Sequence, residues 1–98
     1  METAKSQLKE LLARNQVQIA IEILKDLTQH DVFKLNNVVL LSSQWHKYLE
    51  FLEKGNMDSR DLTLQFNQIH IALSHLIDAL EDDVILDLPA SFWDNLPK

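Results

Sequence analysis

The sequence predicts an all-α, single-domain helical bundle: a short N-terminal helical hairpin packed on a long antiparallel hairpin, about four helices in all. Three observations carry that expectation. Apolar residues recur three and four apart through most of the chain, the period of a helix face and not of a strand. One glycine and two prolines in 98 residues are too few turn formers for a β-rich fold. The polar breaks near 14–16, 30–31 and 54–57 fall where hairpin turns are needed.

The first helix, about 3–13, carries Leu8, Leu11 and Leu12 at helical spacing. Asn15, in the break Arg14-Asn15-Gln16, either terminates this helix or caps the next. The second, about 16–29, sets Val17, Ala20, Leu24 and Leu27 on one side, with Ile19 and Ile23 beside them. Helices joined by so few residues fold back antiparallel. The pair resembles one tetratricopeptide-type unit, but no second copy follows at that period, which excludes a repeat array.

Asp31 is an acceptable N-cap for a third helix running to about Glu53, with a stripe of Leu35, Val38, Ser42, Trp45, Leu49 and Leu52. Gly55 suits the left-handed residue that ends it. Asp58 caps the fourth helix, with Asp61 as a capping-box-like partner. Its stripe of Leu62, Phe66, Ile69, Leu73, Leu76 and Leu80 keeps a coiled-coil seam's spacing. Each long helix spans about 35 Å at 1.5 Å per residue. The apolar run Val38–Leu41 is expected to be buried all round, where the short hairpin covers a second side of the third helix. Ser42 and Ser43 are small enough to admit that approach.

Acidic residues at 81–83 disfavour continuation of the fourth helix, so the domain is drawn over 1–82. Residues 83–98 form a tail or linker. Leu88-Pro89 blocks continuation of a helix into the tail, and Phe92 and Trp93 follow no stripe. The tail either folds back or leads onward, and the expectation is a mobile Trp93 beside a buried Trp45.

Composition narrows function by exclusion. Nine Lys and Arg against fifteen Asp and Glu leave a net charge of −6, with the bases scattered, so nucleic-acid binding is not expected. With no cysteine there are no disulfides, thiol nucleophiles or thiolate metal sites. No run of about 18 apolar residues suits a membrane span, and the N-terminus lacks a signal core, so the expected location is cytoplasmic. His70 and His75 are five apart and diverge round a helix, and no carboxylate joins His46 at ligand spacing. Ser42 and Ser43 precede His46 at helical spacing, yet a mid-helix serine has no free backbone donors for an oxyanion. Asp78, Glu81, Asp82 and Asp83 lack the glycine and alternation of a calcium loop. No catalytic, cofactor or metal site is expected.

The stretch Asn36–Leu80 goes further. It reads Leu41-Ser42-Ser43, then Trp45, then Gly55, then Asn67, Ile69, Ala72, Leu73, Leu76, Ile77, Asp78 and Leu80. In these positions it resembles the effector-associated domains of bacterial conflict systems, type eleven. The resemblance implies a small non-enzymatic adaptor, death-fold-like in role, that couples a sensor to an effector by like-with-like association. Its partner is then another copy of the domain type, on an effector or sensor protein. The sequence departs from the family at Gln44 and Gln68, where Arg is frequent, and at Leu62, where Tyr is common.

For self-association of so acidic a chain, the bases Lys9, Arg14, Lys25, Lys47 and Arg60 are expected to meet Asp78 and Asp82 across a head-to-tail contact. Tyr48 and Ile71, the latter off the main stripe of its helix, either make exposed partner contacts or complete the core. The rival reading is a stand-alone helical regulator that takes an unrelated partner helix in a groove.

Overall fold

The computed structural model describes residues 3–55, 58–86 and 88–96. Five helices follow in order: α1 (Ala4–Ala13), α2 (Val17–Leu27), α3 (Val32–Lys54), α4 (Ser59–Asp78) and the short α5 (Ala90–Asp94). The turns between them are set locally. Asn15 adopts φ 64°, and its N–H donates to the Leu12 carbonyl at 3.0 Å while the Gln16 N–H donates to Leu11 at 2.8 Å. That pair of bonds is a Schellman ending, so Asn15 stops α1 and does not cap α2. Thr3 caps α1 by accepting from the Ser6 N–H at 3.2 Å, and Asp31 caps α3 by accepting from Lys34 at 3.2 Å. Gly55 ends α3 at φ 65°, where any residue with a Cβ is strained. Asp58 opens α4 by accepting from the Arg60 N–H at 3.0 Å.

The α1–α2 hairpin packs on one side of the α3–α4 hairpin, in a body whose Cα atoms span only 16 Å in the thinnest direction. Leu8, Leu11, Val17, Ile21 and Leu24 from the short hairpin meet Val38, Leu73 and Ile77 from the long one, all inaccessible to water. The two hairpins differ in length. With 10 and 11 residues, α1 and α2 reach about 15–17 Å, whereas α3 and α4, with 23 and 20, reach about 35 and 30 Å. The short hairpin therefore covers about half of the long one.

This mismatch corrects the expected burial. Leu49 and Leu52 keep the core spacing on α3 but are 38% and 47% exposed. An aromatic group closes the core on this side instead: Trp45 stacks on Tyr48 at 5.3 Å, and Tyr48 lies 5.7 Å from Phe66. Tyr48 is thus a core residue, off the partner surface assigned to it, because three residues turn it only about 60° from Trp45. Nor is the 38–41 run buried all round. Val38 and Leu41 are buried, but Val39 and Leu40 are 48% and 59% exposed, since the short hairpin reaches only one side of α3. Ser42 is buried at the helix contact and Ser43 is exposed.

The tail lies against the bundle. The Ala4 N–H donates to the Val84 carbonyl at 2.8 Å, and Thr3 and Ile85 form an antiparallel bridge. Val84, Leu86, Phe92, Trp93 and Leu96 are half-buried on the core, and the Arg14 guanidinium sits 5.2 Å from the Trp93 ring centre. The expected mobile Trp93 is replaced by a packed one: the short α5 carries Phe92 and Trp93 onto the bundle.

Leu73→Ala should cost about 2–5 kcal/mol in chemical denaturation, as for a fully buried leucine, whereas Leu64→Ala should stay within about 0.5 kcal/mol. Equal effects at the two positions would refute this packing of α4. In a Trp45→Phe background, Trp93 should emit as a partly shielded indole, and Arg14→Ala should increase its quenching by acrylamide. Emission like that of free indole would mean that the tail does not dock.

Candidate interaction surface

The polar side chains do not converge on catalytic geometry. His30, His46 and His75 are exposed, and the His46 Nδ1 lies 2.7 Å from the Ser42 carbonyl oxygen, so the ring serves the helix backbone and not a serine hydroxyl. Among the described residues no three His, Asp or Glu side chains are placed to hold a metal ion. No helix among them is long and apolar enough to cross a membrane.

The charged residues proposed for a head-to-tail contact are mostly engaged within the chain. Lys9 meets Asp78 at 2.8 Å and Lys5 meets Asp82 at 2.7 Å, joining α1 to the end of α4. Hydrogen bonds from these lysines hold both carboxyls below the usual aspartate range. Arg14 bonds Glu10 at 2.9 Å, and Lys25 lies 3.8 Å from Glu22. The cause is proximity: α1 runs beside the C-terminal half of α4, and a contact inside one chain needs no loss of translational freedom. Of the assigned interface residues, Lys47 and Arg60 are exposed with no ion pair among the described residues, and Ile71 is 57% exposed.

What α3 and α4 leave open is their other side. Leu40, Gln44, Lys47 and Phe51 recur on α3 at intervals of four, three and four. On α4, Gln65, Gln68, Ala72 and Leu76 do the same at three, four and four. These two rows wall a groove along the seam, formed by two depressions of about 240 and 290 Å³ that share Gln44. Lys47 carries the only formal charge among the lining residues; the other polar groups are amides and His75. Exposed Phe33 stands seven residues, two turns, before Leu40, and exposed Leu64 seven before Ile71. Ile71 lines neither depression: at about 100° per residue it lies about 40° from His75 and about 20° from Asp78, on the outer face of α4 between the groove and the Asp78 side. Gln44 and Gln68 face one groove.

A family model for effector-associated domain 11 matches residues 3–81. The chain belongs to that family. No significant match was found among curated proteins or among solved structures. A small all-helical domain of the effector-associated family is not typical of catalytic domains. The sequence pointed to Ile71 as a surface contact but missed the groove. Its trace was a surplus of large apolar residues off the core stripes: Phe33, Leu40, Leu64 and Ile71.

On the opposite side of α4, the His70 ring lies tilted against Phe66 at 4.6 Å between centres and lines a recess with Lys9, Ser74 and Asp78. Its Nε2 is buried without a hydrogen-bond partner among the described residues, and burial pushes its pKa below the ordinary histidine value. The unfolded chain then binds this proton more readily than the folded domain. Stability should hold above about pH 6.5 and fall as the pH drops through that value toward the folded-state pKa. Denaturation midpoints from pH 7.5 to 5 should show this decline, and His70→Gln should flatten it. A His70 ring that titrates at or above the ordinary value by NMR would contradict it.

Proposed function

We propose that this effector-associated domain is a non-enzymatic adaptor, acting in the cytoplasm of a bacterial conflict or antiviral defence system. It joins a sensor to an effector by associating with another domain of its own type. Family membership over residues 3–81 supports the class of protein. The observation that carries the association is the partly apolar groove face of α3 and α4, whose lining carries no acid and a single base, Lys47. It is left uncovered in a domain whose exposed acids near α1 are already paired. Interface centres are depleted in charge and rich in apolar and aromatic groups, and this face has that composition.

The groove also favours a second reading, in which it receives the apolar side of an unrelated amphipathic helix. Sedimentation of the chain across a wide concentration range, alone and mixed with sister domains encoded in the same genome, separates the two. The adaptor reading expects complexes with itself or with a sister domain. A chain that stays monomeric and ignores every sister domain would remove support for it and leave the groove-binding regulator.

A further inference from the structure

We propose that the outer face of α3 and α4 is self-complementary and docks a second copy of this chain across a two-fold axis close to Gln44. The proposal deepens the adaptor reading and rests on it. Charge selects the face first. Two copies at −6 repel wherever carboxylates approach, and the groove residues include none. A head-to-tail alternative would need Asp78 and Asp82, and these are already bonded to Lys9 and Lys5.

Chemistry then selects the occupant. A two-fold contact sets a patch against itself, so each group must suit its own kind. An acidic or basic patch fails that condition and calls for an unlike partner. Asn37, Gln44, Gln65 and Gln68 satisfy it, because an amide carries both donors and an acceptor. Leu40 and Ile71 satisfy it as apolar groups. Lys47 is the one group that does not. It sits three residues from Gln44, so an axis at Gln44 separates the two copies of Lys47 by about 9 Å along the helix, near the screening length at physiological salt.

Size sets the strength. From Phe33 to Phe51 α3 runs about 28 Å, and two neighbouring helices are about 18 Å wide, which gives about 500 Å² per copy. About 1,000 Å² in total lies at the threshold of a specific interface, so the dimer is weak and concentration-dependent.

Sedimentation equilibrium of the full chain into the millimolar range is expected to show a monomer–dimer equilibrium. Leu40→Glu and Ile71→Glu should each raise Kd about tenfold or more, with unchanged helical content because both positions are exposed. Raising salt should leave the dimer intact, unlike a contact made by ion pairs. Because the chain has no cysteine, Gln44→Cys should form an intermolecular disulfide on mild oxidation, and Glu22→Cys on α2 should not. Dimers indifferent to Leu40→Glu and Ile71→Glu, or cross-linked equally through both cysteines, would move the contact to another face and overturn the proposal. A monomer at millimolar concentration that still binds a sister domain would overturn it while the adaptor reading stands. A monomer that binds neither would end both.

Discussion

Because α1 and α2 hold 10 and 11 residues and α3 and α4 hold 23 and 20, the short hairpin covers only half the long one, and much else in the domain follows from that mismatch. The inaccessible side chains crowd where the layers overlap, around Leu8, Leu24, Val38 and Leu73. Where α1 and α2 run out, the Trp45–Tyr48–Phe66 group shields the core with broad flat rings. Aromatic rings suit that position, since each covers much apolar surface while its edge tolerates water. Beyond them Leu49 and Leu52 keep their spacing but have no layer to pack against.

The local features were legible in the sequence because local chemistry decides them. Asp31, Gly55 and Asp58 end or begin helices by bonds and angles made within a few residues, and all three do what their types suggest. Asn15 was left between two roles, and the Schellman bonds choose the ending. Burial was less legible, because it depends on how far a neighbouring layer extends. Nothing within α3 distinguishes Leu49, which is exposed, from Leu41, which is buried. Tyr48 was displaced for the same reason: its polar tip and off-stripe position suggested a surface contact, but at the rim of the core it completes the seal.

The charge pattern left its pairing open for a related reason. Counting acids at 78–83 and bases on the first hairpin identifies complementary groups without saying whether they belong to one molecule or two. The antiparallel order of α1 and α4 brings Lys5 and Lys9 beside Asp82 and Asp78, so the complementarity is spent internally. Exposed pairs of this kind hold little energy. Here they lie beside the Ala4–Val84 hydrogen bond and the Thr3–Ile85 bridge, and together these ties fasten the entry of α1 to the segment that leaves α4.

That fastening bears on how the groove is reached. Helix α4 serves two neighbours with two sides. His70, Ser74 and Asp78 face α1, and Gln68, Ala72 and His75 face the groove. At 100° per residue the two sets lie on opposite flanks of the helix. The tail runs back to α1, where Arg14 meets Trp93, on the flank away from the groove. Entry and exit of the helical domain therefore sit together on the flank of the ion pairs, and the groove flank is left clear of α1 and of the described part of the tail. A partner that docks on α3 and α4 has no need to displace α1, the tail or the ion pairs, so association is compatible with the fold as it stands. On α4 the ion-paired flank and the groove flank are distinct, while Ile69, Ala72 and Leu76 line the groove and also pack on the core that holds the domain together.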